Sequence, residues 1–586
     1  MNLRVMKTTE AMKRGWGGLI LGLVALSAGL PHAAQSAEEK VAGATAAKGD
    51  SAGGGPGPAV SAPVGVVAED VRLQRIVIVE TMAQVATLPP AKPGQFIQVA
   101  DTLKFLNLVE LEKRLAGGQG RPVTEGLLVG INQVLEGLVK NTESPLVAAT
   151  IPPQKIDGGV VTILLTLGRY REIKFLGNRW YSEALLREKL GIGQGDLIRI
   201  GGLDQAIGLT NGPYRTVKAH IDPIPNTTDA NLLLSIQEKL PLRVTAMADT
   251  SGNDTLGNTR FMGGFSYANL WGREHQVSYT YITSEKAKIF GGHIFDYTLP
   301  MPKQQVINFS ASYLRARPRF YDGLFEQDGK NLSAELKYSR PVRIGKWAFD
   351  GFLSGQFKET NNNLAFGGES VLASKVDIFQ VNTGLSTVIR DAKGGWALAL
   401  TLTASPGGVN ARNTTAAFDD ARLGAKADYL VGNLSIQRLL KLGGGWELFS
   451  RAALQRSSSN LLSSEQFNMG GAATVRGYRE NTVSGDRGWQ LSNEVSAPGW
   501  VRPAAVAGKF GLSELRAVGF YEVAAVAVQS ARKVDGEKRA LASMGLGLRM
   551  RMANRLTLNA DYGWRLVKTD ADRESGRGHV KMIFAY

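Results

Sequence analysis

The five histidines of this chain, His32, His220, His275, His293 and His579, stand apart from one another. None shows the H-E-x-x-H or similar spacing that brings two imidazoles to one metal ion. Isolated histidines of this kind read as ordinary strand or surface residues. The chain has no cysteine, which excludes disulfides, thiol nucleophiles and thiolate metal sites. Gly191-Ile192-Gly193-Gln194-Gly195 is glycine-rich but matches neither the dinucleotide nor the phosphate-loop pattern, and no G-x-S-x-G nucleophile elbow occurs. The sequence therefore supports no catalysis, no metal and no cofactor. The chemistry it does hold is docking chemistry, concentrated in Asn468–Glu480. There, three glycines and two alanines lie in and beside Val475-Arg476-Gly477-Tyr478. Small residues let a backbone bend sharply and lie close to a wall. An arginine adds a rigid cationic fork, and a tyrosine an amphipathic ring. Taken alone, such a loop reads equally well as a surface hairpin tip, so the elements around it must decide.

Length and charge bound those elements. At 586 residues the chain is too long for one ordinary core. Its net charge is +16, yet Lys and Arg are scattered with no basic block of the kind that marks nucleic-acid binding. A polar lumen or an anionic membrane surface uses the same charge. Residues 1–36 read as a signal peptide: Arg4, Lys7, Lys13 and Arg14, then apolar Trp16–Leu30, then Ala34-Gln35-Ser36. The alternative, a spanning helix, needs about 20 apolar residues, and this run falls short. Residues 37–70, rich in Ala, Gly, Pro and Ser, read as a flexible linker.

Two small α+β units follow. Over 71–168, Leu73–Val79 reads as a strand, Asp101–Leu115 as a helix capped by Asp101, Val123–Lys140 as a second helix, and Leu146–Ile151 and Val160–Leu167 as strands. Residues 169–240 repeat the β-α-α-β-β order with Glu172–Leu176, Ser182–Leu190, Leu203–Thr210, Val217–Asp222 and Asn231–Glu238. From 241 to 586 helix signals give way to alternation. Val277, Tyr279 and Tyr281, or Leu556, Leu558, Ala560, Tyr562 and Trp564, face one way, and polar or small residues face the other. A soluble sandwich also alternates. Polar faces rich in Ser, Thr, Gly, Asn and Gln, with Trp271, Trp347, Trp396, Trp446, Trp489 and Trp500 near segment ends, favour a transmembrane barrel. About 16 segments can be counted. Arg476 then falls between the eleventh and twelfth, in the sixth external loop if the first segment starts on the periplasmic side.

In that setting Val475-Arg476-Gly477-Tyr478 resembles the VRGY/F signature of the outer-membrane assembly and secretion barrels. The two tandem units resemble polypeptide-transport-associated (POTRA) domains, and Ile151-Pro152-Pro153-Gln154 resembles a segment of the first such domain in two-partner secretion transporters. Together they resemble the haemolysin secretion/activation family, the TpsB-type transporters. The implied fold is periplasmic α+β POTRA-like domains followed by an all-β barrel in the outer membrane. The implied activity is passage of a large secreted β-helical exoprotein to the cell surface by a monomer, with neither nucleic acid nor cofactor. Other members of the superfamily insert barrels, and a passive porin is a third reading. Val518–Ala524 resembles the family's F-x-D-x-G strand motif, with Phe520 in place, Glu522 for the acid and Ala524 for the glycine. The resemblance implies that Arg476 docks on Glu522. The terminal strand, with Phe584 and Tyr586 on one face, resembles the signal read by the barrel-insertion machinery. The family often carries an N-terminal plug helix; residues 37–48 are expected not to form one, being short and interrupted by Gly43.

Overall fold

A computed structural model describes residues 71–586, except 105, 143, 145, 254–255, 321–324, 367–368, 502–510, 531–538, 554 and 570–573. The signal peptide, linker and plug-helix expectations lie outside these residues. Two compact units result, one ending at Leu240 and the other running Pro241–Tyr586.

The first unit holds two sheets. β1 (Arg75–Val79) and β2 (Ile97–Val99) precede α1 (Leu108–Leu115) and α2 (Glu125–Thr142), then β3 (Val147–Thr150) and β4 (Val160–Leu167). The sheet order is β2-β1-β4-β3, with β1 between two parallel partners. The unbroken apolar run of β1 follows from this place, because both its faces are covered. Ile76 and Ile78 pack with Leu111, Leu135 and Ile163, while Val77 and Val79 meet Ala100 on the other side. The expected helix from Asp101 is corrected here. Asp101–Leu103 is one 3-10 turn, and the helix begins at Leu108 behind Asn107, whose side chain accepts from the Glu110 N–H at 3.2 Å. Asn107 caps as well as Asp101 does, and the non-helical approach buries Leu103 and Leu106. A three-residue strand such as β2 leaves too little pattern to read.

β5 (Tyr170–Leu176), α3 (Glu183–Leu190), α4 (Ile200–Thr210), β6 (Arg215–Pro223) and β7 (Ala230–Glu238) complete this unit. Their order, β5-β7-β6, leaves β5 at an edge. Ser182 caps α3 by accepting from the Leu185 N–H, and Gly191 ends it at a φ of +61° that a side chain would strain.

The second unit is a closed antiparallel barrel of 16 strands. They are β8 (Leu242–Asp249), β9 (Arg260–Leu270), β10 (His275–Ser284), β11 (Phe290–Met301), β12 (Gln305–Ala316), β13 (Phe325–Ile344), β14 (Trp347–Phe366) and β15 (Glu369–Asp391). After them come β16 (Gly394–Pro406), β17 (Asp428–Gly443), β18 (Trp446–Ser457), β19 (Arg487–Ser496), β20 (Leu512–Ala527), β21 (Arg539–Met552), β22 (Leu556–Arg565) and β23 (Gly576–Ala585). β23 closes on β8 from Lys581 opposite Asp249 to Ala585 opposite Thr245. Closure leaves no edge whose N–H and C=O groups would face lipid. Tyr281, Phe295, Phe309, Tyr562 and Trp564 are exposed on the outside, and Gln380, Gln437, Gln455 and Gln490 are buried within. That is the apolar-out, polar-in alternation of a membrane barrel.

Candidate functional site

The site is built on Ser458–Asp486, the loop between β18 and β19. Phe467–Met469 pairs antiparallel with Val483–Gly485, folding the chain back on itself. Phe467, Met469, Val475, Tyr478 and Val483 then pack on Ala453, Ala524, Val526 and Leu541. Those four partners come from β18, β20 and β21, so the loop lies against the inner wall. Val475 and Tyr478 are fully buried.

Arg476 is held from several sides. Its Nε and Nη2 donate to Glu522 Oε1 at 3.0 and 2.8 Å, and its own main-chain N–H donates to Glu522 Oε2 at 2.6 Å. Nη1 donates to Glu494 Oε2 at 2.7 Å and to Asp561 Oδ1 at 3.1 Å. The guanidinium lies 3.5 Å from the Phe520 ring centroid. A planar fork with five donors suits this arrangement where a lysine would not. Arg549 serves two of the same carboxylates, donating to Asp561 at 2.8 Å and Glu494 at 2.9 Å. Ser492 also donates to Glu522. Charges taken into a wall need such mutual compensation.

The residues flanking the arginine are fixed as closely. The Gly477 N–H donates to His579 Nε2 at 3.0 Å, so that nitrogen carries no proton, and Arg565 Nε donates to the Gly477 carbonyl. The Tyr478 hydroxyl lies 2.9 Å from the Ala542 carbonyl and 2.5 Å from that of Val567. The strand register explains the close approach. Phe520 stands opposite Gly545, and Gly545 opposite Gly563. A Cβ on Gly545 would stand 2.2 Å from Phe520 Cζ, and one on Gly563 would stand 2.7 Å from the Arg476 carbonyl carbon. Side-chain-free positions on β21 and β22 thus make the trough in which Phe520 and the loop lie.

Of the residues expected to act together, the structure brings Val475, Arg476, Gly477, Tyr478, Phe520 and Glu522 into one cluster. Phe584 and Tyr586 are elsewhere, exposed on the outer face, with the Arg555 guanidinium 4.6 Å from the Tyr586 ring centroid. Sequence reasoning missed Glu494, Asp561, Arg549 and His579. Their signal was parity: each falls on the polar side of its strand's alternation. Among the described residues no group of three or more His, Asp or Glu side chains could hold a metal ion.

The model of the family described as haemolysin secretion/activation protein ShlB/FhaC/HecB matches residues 229–564, more than half of the chain. The chain belongs to this family. A relative named outer membrane transporter CdiB, from Dickeya dadantii (strain 3937), is 25% identical over 367 residues, 61% of this chain. That match spans 63% of the relative's length. The solved structure of CdiB from Escherichia coli superposes with a TM-score of 0.61 at 16% identity, covering 90% of this chain and 92% of that one. CdiB from Acinetobacter baumannii gives 0.54 at 17%, covering 89% and 91%. BamA from Haemophilus ducreyi, lacking POTRA domains 1–3, gives 0.53 at 13%, covering 81% and 98%. At these identities the superpositions speak for the fold alone. As a member of the haemolysin secretion/activation family, the barrel resides in the outer membrane and the POTRA-like units lie in the periplasm.

Proposed function

We propose that this protein binds an unfolded secreted partner in the periplasm and passes it through the barrel to the cell surface. The observation that carries the reading is a closed barrel with a polar inner wall, against which the loop of Arg476 folds back. A wall bearing Gln380, Gln437, Gln455 and Gln490 offers hydrogen bonds to the main chain of a passing segment. The edge strand β5 supports the receiving step. An extended segment can add to such an edge through main-chain hydrogen bonds, and the groove along it is lined by Arg171, Lys174, Phe175, Glu183 and Arg187. No nucleotide-binding motif occurs in the sequence. Folding of the partner outside, with burial of its apolar surface, would make transfer effectively irreversible. The partner is a large exoprotein of β-helical type, and the transporter acts as a monomer without catalysis. Phe584 and Tyr586 serve earlier, as the strand end recognised when the barrel is inserted.

Deletion of the chain in its own cell tests this reading. The expected result is loss of one large secreted protein from the cell surface and medium, with other outer-membrane barrels at normal levels. Broad loss of barrels would instead identify an insertase. Unchanged secretion would leave a passive pore.

A further inference from the structure

The same loop has a second anchor, remote from Arg476. At its first limb, Ser463–Glu465 makes one 3-10 turn. The Glu465 carbonyl accepts from Gln455 Nε2 on β18 at 3.1 Å. Its carboxylate accepts from Lys358 Nζ on β14 at 2.9 and 3.0 Å and from Gln380 Nε2 on β15 at 2.8 Å. One residue therefore joins stretches of inner wall four strands apart. The Lys358 and Glu465 side chains are only 8% and 9% exposed. Just before this turn, Leu461 and Leu462 pack with Val376 and Ile378 of β15 and with Phe418. Phe418 belongs to α5 (Thr415–Ala421), in the loop after β16.

At the other limb Asp486 is fully buried. It accepts from Arg422 Nη1 at 2.7 Å, the Leu461 N–H at 3.1 Å, Gln466 Nε2 at 3.1 Å and the Gln529 N–H at 2.9 Å. Arg422 lies in the loop after β16 and Gln529 in the loop after β20. A single carboxylate thus ties described parts of three external loops together. The loop after β16 is held to Asp377 of β15 by Asn410, Arg412 and Asn413, and Lys358 ties the Ser463–Glu465 turn to the wall at β14.

We propose that the Lys358–Glu465 pair is the latch of this loop, and that its first limb, residues 458–466, lifts from β14 and β15 while Arg476 stays docked. The proposal rests on the transport reading for its purpose but not for its test. The contrast between the anchors decides which one releases. Arg476 presents a rigid fork to three carboxylates, whereas the Glu465 carboxylate is held by one flexible ammonium, one neutral amide and the hydroxyl of its neighbour Ser464. A lysine is a compact point charge on a mobile stem. The N–H groups and cations of an extended chain in the lumen can replace Gln380 and Lys358 as donors to Glu465. Lys358 and Glu465 are positioning residues in this scheme, since they act by where they hold the loop.

The test uses the full-length purified protein in planar bilayers, with no partner present. Glu465→Gln and Lys358→Met should each raise the frequency of open events several-fold, and the exchange Lys358→Glu/Glu465→Lys should bring it back toward the parent value. All should retain the heat-dependent gel shift of an intact barrel. Single variants that gate like the parent, or an exchange no better than the singles, would overturn the latch. Because the chain has no cysteine, Lys358→Cys/Glu465→Cys can be bridged cleanly by a reducible bis-maleimide. The bridged channel should stay shut and recover on reduction. Opening as frequent with the bridge as without it would also overturn the proposal. These readouts need no passenger, so they stand or fall apart from the deletion experiment.

Discussion

Arg476→Ala should abolish partner export and change single-channel conductance while leaving a folded, heat-modifiable barrel. The substitution removes the side-chain bonds to Glu522, Glu494 and Asp561 together. Arg549 still serves Glu494 and Asp561, but Glu522 loses its arginine and keeps only the Ser492 hydroxyl and the main-chain N–H of residue 476. Breaking one buried pair typically costs about 3–5 kcal/mol, because the remaining charge is left without a partner. The Arg476 and Glu522 side chains are 7% and 5% exposed, so solvent relieves little of that cost. The strain falls on the loop, because the ladder hydrogen bonds of β19, β20 and β22 do not involve these side chains. Glu522→Ala should be milder. It leaves Arg476 bound to Glu494 and Asp561, although the bond from the Arg476 main-chain N–H is lost. Arg476→Lys should be intermediate in export, keeping the charge but not the fork. Conductance traces and export assays on the three variants check the order. Parent-like export by Arg476→Ala would end the argument that this arginine locks the loop.

The partners of Arg476 were unequally legible in the sequence. Glu522 could be named because it stands in a recognisable motif, two residues from Phe520. Glu494 and Asp561 are single acids in ordinary alternating strands. Parity put them inside, but nothing local fixed their height against Arg476. Height comes from register, which depends on how every intervening strand is staggered. Lys358 and Glu465 show the same limit, being 107 residues apart in the chain. The strand count was readable because each crossing alternates. The lengths of β13, β14 and β15 were not. β14, for example, runs on through Lys358-Glu359-Thr360-Asn361, which carries no apolar residue to mark a strand by alternation. In the first unit Asp101 was the expected cap; Asn107, a residue type that caps equally well, takes that place in the structure, where the chain before it buries Leu103 and Leu106.

Gly563→Ala should release the loop as thoroughly as Arg476→Ala does, without touching a charge. A Cβ at position 563 would stand 2.7 Å from both the Arg476 carbonyl carbon and the Gly477 nitrogen. Both are main-chain atoms, with no flexible side-chain end to swing aside. Nor can Gly477 yield, because its φ is +92° and its own missing Cβ already faces the Gly563 carbonyl at 2.7 Å. The barrel itself should tolerate the change, since alanine costs a strand less backbone entropy than glycine. All three carboxylates and both arginines would remain, so loss of docking would show that the trough, and not charge alone, selects the loop's position. Val475, fully buried beside Arg476, supplies the readout. In a Val475→Cys background the thiol should resist a membrane-impermeant maleimide, and adding Gly563→Ala should make it react while gel mobility stays that of an intact barrel. Continued protection together with parent-like conductance would mean that the wall yields at β22, and that the ion pairs by themselves hold the loop.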